Sequence, residues 1–145
     1  MSEPLRFREQ LRGNLVAIIS LAVALASLGY NTWRNEKTEL NRNLRNGGLE
    51  LLMQSAELRE LTYLIHYDTD VVGEGAARRG WVTVLAIRDL SRILPPPVPA
   101  SAEALHSAWG AHWESLAGKR ASKDAVDAAV EALVDDTVTM LENLD

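Results

Sequence analysis

The sequence predicts an all-α chain: an N-terminal transmembrane helix that continues into a small antiparallel helical bundle of about four helices. Three observations carry this reading. Gly13–Trp33 contains no charged residue. Beyond it, apolar and small residues recur at alternating steps of four and three, the signature of a buried helical face. A glycine-rich stretch and a triple proline then separate one periodic segment from the next. The expected organisation is a basic tail over residues 1–13, a transmembrane helix over 14–33 and a soluble bundle over 34–145.

The uncharged run of 21 residues from Gly13 to Trp33 would be about 32 Å long as a helix, at roughly 1.5 Å per residue. The hydrocarbon core of a bilayer is about 30 Å thick. Arg6, Arg8 and Arg12 precede the run, and Tyr30, Trp33 and Arg34 stand at its far end. Amphipathic rings and arginines favour the headgroup level, so Arg12, Tyr30, Trp33 and Arg34 are the expected membrane-interface residues. The rival reading is a cleaved signal sequence ending near "ALAS" (Ala24–Ser27). The uncharged run extends well past that site, which favours a retained anchor. Three arginines on one flank face Arg34, Lys37, Arg42 and Arg45 on the other. The positive-inside rule does not separate three from four. A short basic tail that stays in the cytoplasm is the simpler route, and it would place the bundle outside. Ala22, Ala26 and Gly29 share one face of the span, where small residues permit close helix approach.

Past Trp33 the pattern does not pause. Leu44, Gly48, Leu51, Ser55, Leu58, Thr62 and Ile65 form a seam, widened by Leu40, Leu52 and Leu61. Glu36, Lys37, Glu39, Arg42 and Arg45 would solvate the other side, with a Glu39–Arg42 pair one turn apart. One helix is therefore expected from about residue 14 to about residue 67. Gly47–Gly48 is its weak point: the helix kinks there, or a neighbour packs closely. "DTDVVGEGAARRG" (Asp68–Gly80) reads as a loop, with Arg78 and Arg79 solvated in it. Trp81–Leu94 reads as the second helix, and "PPPVP" (Pro95–Pro99) as a stiff non-helical connection. Ser101 is the expected N-cap of the third helix and Gly118 its stop, with Leu105, Trp109, His112 and Leu116 on one face. Ser122 is expected to start the last helix. Its seam is Val126, Val130, Leu133, Thr137, Met140 and Leu144, of coiled-coil-like spacing.

Composition excludes several functions. Cysteine is absent, which removes disulfides, thiol nucleophiles and thiolate metal sites. Residues 34–145 carry 12 Lys and Arg against 18 Asp and Glu, a balance of −6. Nucleic-acid binding needs the opposite sign. His106 and His112 are six apart, off the i, i+4 spacing of a helical zinc site. "EALH" (Glu103–His106) is a lone Glu-x-x-His, whereas a bundle di-metal site needs two such pairs and two further carboxylates. No glycine-rich phosphate loop or G-x-S-x-G occurs. Neither catalysis nor a cofactor is expected. His106, Trp109, His112 and Trp113 form the most unusual cluster. They line a partner or ligand surface, or they close the bundle core, and core is the preferred reading. The acidic last helix is a solvated face or a docking strip for a basic partner.

"SLGYNTWRNEKTELNRNLRN" and "IRDLSRILPPPVPA" resemble a group of small, single-span bacterial membrane proteins with no assigned function. The resemblance covers the span exit, the first helix after it and the second helix with its proline turn. It implies a bacterial inner-membrane protein and no site residue. The expected function is that of an interaction or accessory protein acting through protein–protein contacts. Its partners would be the lipid bilayer and either another membrane protein or further copies of itself. The alternative is a membrane-anchored sensor that binds a small ligand near Trp109 and Trp113.

Overall fold

The computed structural model describes residues 13–68 and 75–144. The described residues are all-helical, with no strand. The elements are α1 (Leu15–Tyr67), α2 (Gly75–Ser91), α3 (Val98–His112), a 3-10 turn (Trp113–Ser115) and α4 (Arg120–Glu142). The chain divides into two compact units, one through Leu40 and one from Asn41 onwards.

In the first unit every described residue is exposed. The early part of α1 is long and apolar enough to cross a membrane, and none of that window is buried. Hydroxyls here are satisfied within the helix, Thr32 donating to the Leu28 carbonyl and Thr38 to that of Arg34. Such back-bonding spares a polar group an external partner. The Glu39–Arg42 ion pair expected from spacing does not form.

The second unit is an up-down-up-down bundle built from the later part of α1 with α2, α3 and α4. Side-chain contacts set the direction of each neighbour. The backbone at Gly47–Gly48 lies against Leu94 beyond the end of α2 and against Met140 and Leu141 near the end of α4. At the other end of α1, His66 Nδ1 hydrogen-bonds the Leu116 carbonyl at 2.7 Å and Lys123 Nζ lies 5.8 Å from the Tyr67 ring. Hence α1 runs antiparallel to α2 and to α4. Arg88–Glu103 joins α2 to α3, and Ser101–Asp136 joins α3 to α4. Antiparallel neighbours with short loops are what a small bundle favours.

The core follows the two seams. Gly48, Leu51, Ser55, Leu58, Thr62 and Ile65 are buried on α1. Val126, Val130, Leu133, Thr137 and Met140 are buried on α4. Small residues alternate with large ones, so ridges of one helix enter gaps of the next. The buried hydroxyls cost little, because each bonds the carbonyl four residues back on its own helix: Ser55 to Leu51 at 2.8 Å, Thr62 to Leu58 at 2.8 Å and Thr137 to Leu133 at 2.7 Å. At Gly47–Gly48 α1 continues as one helix. A Cβ at Gly48 would come within 2.8 Å of Leu141 Cδ2, so close packing, not a kink, is the use of that pair.

Several boundaries differ from expectation. The expected loop extended to Gly80, but α2 begins at Gly75, so Arg78, Arg79 and Gly80 are helical. Residues 69–74 of that loop lie outside the described residues. Gly80 is buried, and its lack of a side chain admits the Trp109 ring. The glycine, a turn signal by local rules, marks helix contact here. Ser101 is not an N-cap. Helix α3 starts at Val98, with Pro99 in its first turn where no N–H is needed, and the Ser101 hydroxyl turns to Asp136 instead. The helix ends at His112, before Gly118, and tightens into the 3-10 turn. Ser122 is also not a cap: α4 starts at Arg120, and Ser122 Oγ meets Ser115 Oγ at 2.8 Å.

Two glycines should respond oppositely to alanine. At Gly80 a Cβ would overlap the Trp109 ring, whose position is fixed by full burial. Overpacking costs about 1–3 kcal/mol, against a helix-propensity gain of about 1 kcal/mol. At Gly110 the new Cβ would meet Trp81 Cη2 at an ordinary 3.6 Å. Gly80→Ala is therefore expected to lower the thermal midpoint of the detergent-solubilised chain, and Gly110→Ala to raise it. Circular dichroism on both variants checks the pair.

Candidate functional site

The aromatic cluster divides in the structure. Trp109 is fully buried. It packs into the notch over Gly80, and its indole N–H has no hydrogen-bond partner among the described residues. Trp109 therefore leaves the candidate partner or ligand surface and belongs to the core, because its ring fills the space between α2 and α3. His106, His112 and Trp113 remain half-buried. Trp81 joins them, edge-on to His106 with ring centroids 5.7 Å apart and to Trp113 at 6.4 Å. Beside them Arg88 Nε donates to Glu103 Oε2 at 2.7 Å, and His106 Nδ1 lies 3.8 Å from Glu103 Oε1. Glu103 is thereby occupied as a bridge between α2 and α3. Among the described residues no group of three or more His, Asp or Glu could hold a metal ion.

The residues expected at a membrane interface separate by location. Tyr30 and Trp33 are both exposed, with ring centroids 6.2 Å apart on one side of α1. Arg34 follows on the exposed helix. Arg12 lies outside the described residues.

The bundle's outer faces carry more. On α1 the outward positions Leu49, Met53, Ala56, Glu60, Tyr63 and Tyr67 step by 4, 3, 4, 3 and 4, and all are exposed. Met53 is 68% exposed and Tyr63 58%. On α4 the outward stripe is Asp124, Ala128, Glu131, Asp135, Val138 and Glu142 at the same spacing. Between the two helices lies an open cleft of about 350 Å³, lined by Arg59, Tyr63, Lys123, Asp127 and Glu131. On α2 the outward stripe is Arg78, Val82, Leu85 and Asp89, continued by Arg92 one residue beyond its end. Val82 is 67% exposed, and Ile93 just beyond α2 is 66% exposed.

Sequence reading singled out none of these stripes, although the same period marks them. Each is the complement of a buried seam, and a seam's partner face reads as ordinary solvated helix until burial is known. Trp81 was missed for a related reason: only the crossing of α2 over α3 brings it to His106 and Trp113. Comparison with known proteins adds nothing to the site, since no family model, no curated protein and no solved structure matches the chain.

Within the cleft one ion pair is well formed. Lys123 Nζ donates to Asp127 Oδ2 at 2.5 Å, one helical turn away. That hydrogen bond raises the Lys123 pKa above its ordinary 10.5; desolvation opposes it, and the nearby charges of Asp127, Tyr67 and Asp124 add to it. A raised folded-state pKa means the pair's stabilisation is complete below the unfolded value and is lost as pH climbs through the folded one. The pair should therefore contribute a constant amount, less than about 1 kcal/mol, at neutral pH, and lose it only in the alkaline range above 10.5. Asp127→Asn is expected to remove this alkaline step. Thermal midpoints of the two chains from pH 7 to pH 12 check it; parallel curves would exclude the pair as their cause.

Proposed function

We propose that the chain is a membrane-anchored interaction protein, a helical bundle tethered to a bilayer that acts through protein–protein contacts and catalyses no reaction. One observation carries the reading. The bundle interior is filled by its own side chains, while large apolar side chains stand in register on its outer faces: Leu49, Met53, Tyr63 and Tyr67 on α1, and Val82 and Leu85 on α2. Scattered exposed apolar residues are ordinary, but contiguous stripes of them favour association. The apolar stretch of α1 supports the tether. A bacterial inner membrane with the bundle on the periplasmic side is the location adopted with this proposal. The sensor alternative has less support, because Trp109 occupies the volume a ligand would need. The cleft beside Tyr63 is open and charged, unlike the enclosed apolar sites that hold most small ligands.

Cross-linking in native membranes, followed by purification of the tagged chain and mass spectrometry, tests the proposal. The protein should resist alkaline carbonate extraction and should return with one reproducible partner or with further copies of itself. Release by carbonate, or recovery only as an uncross-linked monomer, would sink it.

A further inference from the structure

The interaction reading leaves open what the outer faces receive, and charge supplies an answer within the chain itself. Helix α4 carries six acids, Asp124, Asp127, Glu131, Asp135, Asp136 and Glu142, against Arg120 and Lys123. Helix α2 carries Arg78, Arg79 and Arg88 against Asp89, with Arg92 one residue beyond its end. Several of these charges are unspent. Among the described residues, Arg78 and Arg79 on one side, and Glu131, Asp135 and Glu142 on the other, make no ion pair. Each stripe also bears apolar contact area, Val82 and Leu85 on α2 and Val138 on α4. The basic stripe and the acidic stripe therefore complement each other in sign, in period and in apolar content. They lie on opposite corners of one bundle, since α1 and α3 stand between α2 and α4, so they cannot satisfy each other within one molecule.

We infer that a second copy of this chain docks its α2 stripe onto the acidic α1–α4 face of the first. The inference rests on the membrane-anchored reading above. Copies tethered to one bilayer lie on the same side of it, and α2 and α4 both run antiparallel to α1, so a contact between them can align like levels of two bundles. Val82 lies near the end where Arg79 borders the same small cleft as Glu60 and Leu64, and where Tyr67 meets Lys123. Ile93 lies at the other end, where Gly47 and Gly48 meet it and Leu141. Side by side, Val82 thus falls level with Ala128, and Ile93 with Val138. The contact joins two different patches, so it is heterologous and does not close on itself as a two-fold dimer does. Lateral rows in the membrane plane are the expected product, weakened by salt because the complementary charges lie at exposed positions.

The absence of cysteine makes the test clean. Full-length chains with different tags, each bearing one introduced thiol, are co-expressed and treated in native membranes with a short bis-maleimide. Val82→Cys with Ala128→Cys, and Ile93→Cys with Val138→Cys, should give dimers carrying both tags. The mismatched pair Val82→Cys with Val138→Cys should give far less. One chain carrying both Val82→Cys and Ala128→Cys should give a ladder beyond the dimer. Arg78→Glu with Arg92→Glu should cut the matched yield roughly tenfold, the loss expected when rim pairs turn repulsive, and Glu131→Arg with Asp135→Arg in the partner should restore it. Linking of Val82→Cys only to itself, equal yields from matched and mismatched pairs, or linking only to a different protein would overturn the inference and leave the interaction reading standing. No link from these thiols, nor from thiols at Tyr63 and Trp113, to any protein would overturn both.

Discussion

The bundle depends on how closely α2 and α3 approach at one point. The Trp109 ring fills the space that a side chain at residue 80 would need. A buried tryptophan is the largest apolar contribution a small core can hold, and here it has room only because its neighbour is glycine. The same ring keeps α2 and α3 at the separation that lets Arg88 bridge to Glu103 and brings Trp81 against His106 and Trp113. Around this contact the seams of α1 and α4 close with leucine and valine against glycine, serine and threonine. Among the described residues the core is filled by apolar side chains contributed by all four helices. The large apolar side chains left without neighbours lie on the outside of the bundle.

Charge is distributed over that outside in a directional way. Acids gather on α4 and free arginines on α2, at diagonal corners. In a freely tumbling molecule this would make a dipole with little consequence beyond weak association. Under the proposed tether, copies confined to a plane would meet at far higher effective concentration than the same domains in solution, and modest rim charges would then suffice to order neighbours.

Much of this architecture was legible from spacing. The 4-3 seams named the buried faces from Gly48 to Ile65 on α1 and from Val126 to Met140 on α4, and the end of α1 fell at Tyr67 as its period predicts; at the seam ends Leu44 and Leu144 are half-buried, and Leu40 is exposed. Periodicity works there because burial repeats over many turns. It failed where a single residue serves two physical roles. Gly80 satisfies the rule for a loop and also the rule for close helix contact, and only the presence of Trp109 across from it decides between them. Ser101 and Ser122 fit the N-cap rule, yet each spends its hydroxyl on a tertiary partner, Asp136 and Ser115 respectively. Val98 and Pro99 begin α3 earlier than a proline-rich string suggests, since proline is costly inside a helix and harmless in its first turn. The outward stripes carried the same period as the seams but no local mark of their exposure.

The hydroxyls of Ser55, Thr62 and Thr137 all bond backward along their own helices. None of these three reaches across to a neighbour, so where they line the seams the helices are held in register by shape, with no polar latch. Such a seam reads volume first: removing one of these hydroxyls leaves no unpaired group on a neighbouring helix, while one added methylene is felt at once. Alignment of the helices along these seams is thus a matter of fit between side chains, and a change in the size of a seam residue shifts it before a change in hydrogen bonding does.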